Sequence, residues 1–350
     1  MTTPRLALAL LLPLLACGAR PTDPDGGDNG GADSPADDTG APDGDDTGPG
    51  DSGAEDSAPV DTEDPGAAPT LVSSVPAHGD VGVRADSVVV LVFSEAMDAV
   101  SVEAALSSFD PAAAPSWNAE RTTLTLTPSA PLAYAEGRGN DPQRVDALSY
   151  TVEIGTGATS AVGVPLAEPV IVRFQTLKRL QGGAEPVPEL TGAVYGDDYD
   201  TSAPGDDLWV GDLAGDVGIR SFVTFDLSPL PATVVELENA VWVSTLVDTF
   251  GNADSLGPYT EAAHLVFPSL DEEAYWSRVD HDLGYHSTWT DTTVELDVTT
   301  PVREDLAARV EREQRSQFRI SFPTPTNNDH NLDYYAYDAD TELVLTYLVP

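Results

Sequence analysis

Five aspartates crowd one short stretch of the chain, where they could hold a cation. Asp197, Asp198, Asp200, Asp206 and Asp207 offer the hard carboxylate oxygens that calcium prefers. Carboxylates this close repel one another unless water or a cation relieves the repulsion. The stretch therefore predicts either a calcium site or a solvated acidic loop, and calcium is the only cofactor that the sequence suggests.

Aromatic side chains form the second group with binding chemistry, because their flat apolar faces can stack on sugar rings. Trp276 and Trp289 flank a polar stretch that contains histidines, and Tyr334 and Tyr335 belong to a Tyr-Tyr-Ala-Tyr run. We predict that these four contribute to a ligand site. A core or rim position is the alternative for each of them. Trp242 lies within a strand-like run, which predicts a place in the core.

No motif predicts catalysis, so we expect a protein that is not an enzyme. Residues 50–53 read Gly-Asp-Ser-Gly, as around the nucleophile of trypsin-like proteases, but that segment has no core to preorganise an oxyanion hole. Glu95 and Asp98 are interpreted as turn residues rather than as a hydrolytic pair. His281 and His286 lack a third zinc ligand at a recognisable spacing. The sequence contains no nucleophile elbow, phosphate loop or dinucleotide fingerprint.

The only cysteine, Cys17, ends an N-terminal apolar run, and its thiol has no partner for a disulfide. Residues 1–17 are predicted to form a secretory signal peptide, and their apolar stretch is too short for a spanning helix, which needs roughly 20 residues. Leu14-Leu15-Ala16-Cys17 resembles the bacterial lipobox, which implies cleavage before Cys17 and acylation of its thiol. By resemblance to the lipoproteins of two-membrane bacteria, Gly18 in place of Asp favours the outer membrane over the inner membrane. A plain signal peptide with an incidental cysteine is the alternative.

Charge and composition limit the partners. The chain has 16 basic and 59 acidic residues, a net charge of −43, which argues against nucleic acid as a partner. Residues 18–68 are almost wholly Asp, Gly, Pro, Ala, Thr, Ser and Glu, so this linker is predicted to be disordered. The expected partners are a membrane, through the lipid anchor, and a polysaccharide or surface proteins.

Residues 69–177 show the short strand-like runs of an antiparallel sandwich. The runs are Ser87–Phe93, Thr122–Thr127, Tyr150–Ile154 and Val170–Gln175. Residues 75–83 (Val-Pro-Ala-His-Gly-Asp-Val-Gly-Val) and 92–98 (Val-Phe-Ser-Glu-Ala-Met-Asp) resemble the opening motifs of bacterial Ig-like domains from surface-layer proteins. The resemblance implies an Ig-like spacer. It is interrupted by an insertion, Gly137–Ala147, where a short hairpin is usual.

Residues 185–350 again alternate like strands, with one helical stretch. The predicted strands are Leu208–Val210, Ile219–Phe225, Glu236–Leu246, Ala263–Phe267, Thr292–Asp297, Phe318–Phe322 and Glu342–Leu348. Val302, Leu306 and Val310 recur at helical spacing, and Glu311 with Arg315 forms an i,i+4 pair. These positions predict one short amphipathic helix crossing a β fold.

Two motifs carry a second resemblance. Residues 208–211 (Leu-Trp-Val-Gly) and 220–231, which begin Arg-Ser and end Leu-Pro, resemble DNRLRE-type domains grouped with carbohydrate-binding modules. The resemblance implies a jelly-roll-like fold and a glycan ligand. Some relatives bind acidic polysaccharides through basic residues, whereas this domain is acidic, so we expect a neutral glycan.

Together these features predict an all-β protein. An Ig-like β-sandwich is followed by a jelly-roll-like β-sandwich with one short helix, behind a disordered N-terminal tether. The predicted function is that of a non-enzymatic, lipid-anchored protein of the cell surface, whose C-terminal sandwich binds a glycan or another surface component. A purely structural envelope or assembly protein without a small ligand is the alternative.

Overall fold

The structure is a computed structural model that describes residues 66–196, 199–202 and 206–350. The predicted signal peptide, Cys17 and nearly all of the predicted linker lie outside these residues. Among the residues described, no helix is both long enough and apolar enough to cross a membrane.

The first sandwich is built from two small antiparallel sheets. The elements are β1 (Leu71–Val75), β2 (Val89–Phe93), α1 (Ala99–Ala105), β3 (Leu106–Ser108), β4 (Ala114–Trp117), β5 (Thr123–Thr127), β6 (Ala135–Arg138), β7 (Ser149–Ile154) and β8 (Val170–Gln175). One sheet has the strand order β1-β2-β5-β4 and the other β3-β7-β8. Between them lies a core that includes Leu91, Val102, Leu124 and Phe174, all 1% exposed or less.

The second sandwich contains the remaining strands and two short helices. They are β9 (Lys178–Ala184), β10 (Gly192–Tyr195), β11 (Leu208–Leu213), β12 (Val217–Asp226), β13 (Glu236–Phe250), β14 (Thr260–Leu265), α2 (Glu272–Trp276), β15 (Val279–Ser287), β16 (Thr293–Asp297), α3 (Thr299–Ala307), β17 (Arg315–Ser321), β18 (Asp333–Tyr337) and β19 (Glu342–Val349).

The long strand β13 links the two layers of this sandwich. Its first part pairs with β16 and β19, and from Leu246 onward it pairs with β18, with a register shift between Leu246 and Asp248. A bulge of this kind bends a strand, so one strand can serve two layers. The other layer runs β15-β14-β17-β12-β11-β18. Trp242, Phe225 and Phe318 meet in the core between the layers, and Trp242 is 0% exposed, so the core position predicted for it is confirmed.

The insertion Gly137–Ala147 joins the two sandwiches. Strand β6, which leads into it, pairs in parallel with β9 and so extends a sheet of the second sandwich. The Asn140 amide donates to the Gly183 carbonyl at 2.8 Å and its Oδ1 accepts from the Tyr347 hydroxyl at 3.1 Å. The interruption of the Ig-like pattern is therefore the segment that docks the first sandwich on the second.

The all-β class and the sandwich architecture are confirmed, but the predicted helix is only partly right. Helix α3 ends at Ala307, and Val310 is 87% exposed beyond it. The proposed pair of Glu311 and Arg315 is wrong, because Arg315 starts β17 and binds Glu313 at 2.7 Å instead. Two further short helices occur within the described ranges, α1 and α2.

Candidate functional site

Helix α2 holds the most exposed tryptophan of the second sandwich on the outer face of a sheet. Its first turn is capped by Asp271, whose carboxylate accepts from the Glu273 backbone N–H at 2.8 Å. Tyr275 packs into a small cluster with Phe222, on the side of β12 that faces away from the main core. Trp276, the next residue, therefore projects outward and is 62% exposed.

Two contacts fix the Trp276 ring. Its indole N–H donates to the Tyr199 hydroxyl at 3.0 Å. The Arg220 guanidinium lies 5.4 Å from the Trp276 ring centroid and 4.3 Å from that of Tyr275. Arg220 also donates to the Tyr275 carbonyl at 2.5 Å. An exposed aromatic held by cation–π and hydrogen-bond contacts loses little side-chain entropy on binding a ligand.

An open groove of about 740 Å³ runs beside Trp276. Its other lining residues include Val266, Glu272, Glu273 and Arg278. Carboxylates accept hydrogen bonds from hydroxyl groups, a guanidinium donates them, and the indole offers a flat apolar face. This combination can bind a polyhydroxylated ligand such as a neutral sugar chain.

Two arginines lie close together beneath this site, although the chain as a whole is strongly acidic. Arg319 on β17 is the register partner of Phe222 on β12, so Arg220 and Arg319 share one face of the sheet. Burial, and then the charge of Arg220, lower the pKa of Arg319 to about 10. The Arg319 Nε is buried and has no hydrogen-bond partner among the described residues. The pair can attract an anionic group on a ligand. The sequence did not reveal the pair, because Arg220 and Arg319 are far apart along the chain and meet only where β12 pairs with β17.

The other predicted aromatic ligands do not join Trp276. Trp289 is 61% exposed, but it follows the far end of β15, roughly 25 Å from Trp276 at the rise of a strand. Tyr334 is 8% exposed and stacks on Trp209, with the ring centroids 4.6 Å apart. Tyr335 points to the opposite face and is 1% exposed, which is the core position given as the alternative to ligand stacking.

The predicted calcium loop is only partly described. Asp197 and Asp198 lie outside the described residues, whereas Asp200, Asp206 and Asp207 are exposed. Within the described ranges, no group of three or more His, Cys, Asp or Glu residues is arranged to hold a metal. Calcium binding by the loop stays a prediction.

The two histidines considered as zinc ligands occupy different environments. The His281 Nε2 lies 2.7 Å from a Glu304 carboxylate oxygen near the surface. His286 is buried, with Ser244 and Thr260 against its two ring nitrogens. Two other residues, His264 and Asp305, form a fully buried pair with 2.9 Å between the His264 Nε2 and the Asp305 Oδ2. The burial of His264 and His286 makes them structural groups rather than groups that a ligand can reach.

Comparison with known proteins identifies the first sandwich. Residues 66–176 match the family described as the bacterial Ig-like domain, which confirms that prediction. No curated protein matches the chain.

Solved structures show only distant likeness. An L,D-transpeptidase from Mycobacterium smegmatis is 15% identical, covers 63% of this chain and 76% of its own, and has a TM-score of 0.22. A structure with a xylogluco-oligosaccharide is 10% identical over 81% of this chain and 58% of its own, with a TM-score of 0.19. A structure of domains CD (residues 230–489) of another protein is 9% identical over 80% of this chain and 98% of its own, with a TM-score of 0.19. TM-scores this low give no information about a ligand.

Proposed function

We propose that this protein is a non-enzymatic, lipid-anchored protein of the cell surface that binds a glycan in the groove beside Trp276. The observation that carries the proposal is the fixed, exposed Trp276 ring at the edge of a groove with both carboxylates and a guanidinium. The bacterial Ig-like domain at residues 66–176 fits a non-enzymatic surface protein. Acylation of Cys17 would supply the anchor, because the lipobox-like residues 14–17 follow an apolar run.

The groove favours a neutral glycan over most of its length. Glu272 and Glu273 would repel a polyanion, yet their oxygens accept hydrogen bonds from sugar hydroxyls. The Arg220–Arg319 pair adds one place where a single acidic substituent would be stabilised. A neutral backbone with occasional acidic groups therefore fits this face best.

The test is a glycan array probed with the full-length chain carrying Cys17→Ser, which keeps both sandwiches and removes the anchor. Trp276→Ala should reduce binding at least tenfold, because the stacking surface is lost. Trp289→Ala is the matched control, since Trp289 is equally exposed but lies far from the groove. We expect it to bind like the parent.

Other outcomes separate the alternatives. Loss of binding with Trp289→Ala alone would move the ligand site to the turn between β15 and β16. If the parent binds no glycan at millimolar concentration, with or without calcium, the glycan proposal fails. The purely structural envelope protein would then be the better account.

A further inference from the structure

Two buried aspartates face each other at one end of the second sandwich. Asp212 on β11 and Asp333 on β18 are direct register partners in neighbouring antiparallel strands. Directly opposed side chains lie on the same face with their Cβ atoms roughly 5 Å apart. Asp212 lies two residues after Val210 and Asp333 two residues before Tyr335, both on the core-facing side, and their exposures are 0% and 1%.

The hydrogen bonds around the two carboxylates leave one oxygen without a donor. Both Asp333 oxygens are occupied, one by the Asn252 backbone N–H at 2.5 Å and the other by the Asn327 side-chain amide at 2.9 Å. The Asp212 Oδ2 accepts from the Asn327 backbone N–H at 3.2 Å. The buried Asp212 Oδ1 has no hydrogen-bond partner within the described ranges. Buried carboxylate oxygens are rarely left without a donor or a cation.

The electrostatic surroundings make the pair more unusual still. Burial is the largest cause that raises the pKa of Asp212, and the negative charges of Asp333 and Asp329 add to it, whereas hydrogen bonds from the Thr326 side chain and the Asn327 backbone oppose the rise. Among the described residues, no Lys, Arg or His side chain forms an ion pair with Asp212 or Asp333. The nearby His330 binds Asp216 instead. Two buried negative charges side by side need either a proton or a cation between them.

We propose that Asp212 and Asp333 bind one divalent cation, calcium, at this end of the second sandwich. The Asp212 Oδ1 supplies a free ligand, and each Asp333 oxygen retains a second lone pair. Calcium takes six to eight oxygen ligands and readily accepts backbone carbonyls and water for the rest.

The bound cation would act as a structural staple. It would connect β11 to β18 and, through Asn252 and Asn327, to the loops that follow β13 and β17. The two carboxylates of this site are not among the five aspartates of the acidic loop, and the site does not depend on the glycan groove.

The test uses the full-length chain stripped with EGTA and titrated with calcium chloride by calorimetry and thermal denaturation. We expect one equivalent to bind and the melting temperature to rise by roughly 5–10 °C at a hundredfold excess over Kd. Asp212→Asn, which is isosteric, should weaken binding at least tenfold. The matched control, Asp206→Asn with Asp207→Asn in the acidic loop, should leave it within twofold.

Three results would overturn the proposal. If the parent shows no saturable isotherm, Asp212 holds a proton and not a cation. Equal thermal shifts with calcium, magnesium and sodium at matched ionic strength would reduce the effect to general screening. Loss of binding in the acidic-loop variant with retention in Asp212→Asn would assign calcium to that loop. Should Asp212→Asn fail to fold, Asp333→Asn takes its place with the same expected loss.

Discussion

Acid should destabilise this protein through a single buried histidine. His286 is 1% exposed, and its two ring nitrogens lie 3.0 Å from the Ser244 hydroxyl and 3.2 Å from the Thr260 hydroxyl. Burial lowers the pKa of His286 from 6.5 to about 3, and this outweighs the opposing effect of the negative charge of Asp291. The folded protein therefore holds His286 neutral at pH values where the unfolded chain would protonate it.

The size of the effect follows from this difference in pKa. His286 costs no stability above pH 6.5, where the residue is neutral in both states. As the pH falls, the unfolded chain takes up the proton first, so the free energy of unfolding decreases until the folded pKa is reached. A difference of 3.5 in pKa corresponds to about 5 kcal/mol in the acid limit, and to about 3 kcal/mol at pH 4.

Urea denaturation at pH 7 and pH 4 would measure this effect in the parent and in His286→Gln, which lacks a group that titrates in this range. The parent should lose about 3 kcal/mol more than the variant between the two pH values. Acidic residues affect both proteins alike, so the difference isolates the histidine. His78→Gln, a change at an exposed histidine, is the control and should behave like the parent. Equal losses in the parent and His286→Gln, within about 1 kcal/mol, would refute the reasoning.

Three further predictions concern the core, the joint and the anchor. Asp305→Ala should cost about 3–5 kcal/mol in urea denaturation, because it breaks a buried ionic network, whereas Asp280→Ala at the exposed edge of that network should cost less than about 1 kcal/mol. Gly182→Ala should lower the melting temperature, because the new Cβ would lie 1.8 Å from the Asn140 Oδ1. Adding Asn140→Ala should restore part of that loss. If the two single changes lower the melting temperature additively in the double variant, the predicted clash is absent. Cys17→Ser should move the protein from the membrane pellet to the soluble or unprocessed fraction, and a variant that still resists carbonate washing would exclude the lipid anchor.

Most strands were predictable because their alternating apolar and polar residues become alternating buried and exposed side chains in the folded sheet. The run Val170–Gln175 matches β8 at both ends, with alternate residues buried against the Ig-like core. Strand β15 was missed, because Val279–Ser287 contains two aspartates, two histidines and a glycine with little apolar alternation. It lies at the sheet edge and pairs with β14 through three register shifts. Backbone pairing with a neighbour stabilises such a strand, and that contact is not encoded in its own pattern.

The helix prediction failed at its C-terminal end for a related reason. Spacing alone could not show that the chain leaves α3 after Ala307, since Val310 continues the period. Left-handed backbone at Glu313 and Gln314 reverses the chain and starts β17 at Arg315. The pairing of β17 with β12 and β14 requires this turn, and that tertiary contact overrides the local tendency to form one more helical turn.

The candidate site was predictable only in part. The face of the sheet on which an aromatic side chain lies determines whether it can contact a ligand or is buried in the core. Tyr334 and Tyr335 are adjacent in sequence, yet one stacks on the outer face and the other enters the core. The net charge of the chain likewise gave no information about where individual charged residues lie in the fold. A net charge of −43 argued for a neutral ligand, while Arg220 and Arg319 meet on one sheet face because their strands are neighbours.

The joint between the sandwiches changes what the Ig-like domain contributes. A spacer connected by a flexible linker would leave the groove beside Trp276 free to turn in any direction. Here β6 of the first domain extends a sheet of the second, and the Arg179 guanidinium on β9 also binds the Glu136 carboxylate on β6 at 3.5 Å. Shared backbone hydrogen bonds between the two strands resist rotation. The first domain therefore fixes the direction in which the proposed glycan groove is presented, and a fragment that omits residues 135–147 would lose a strand of the sheet as well as a spacer.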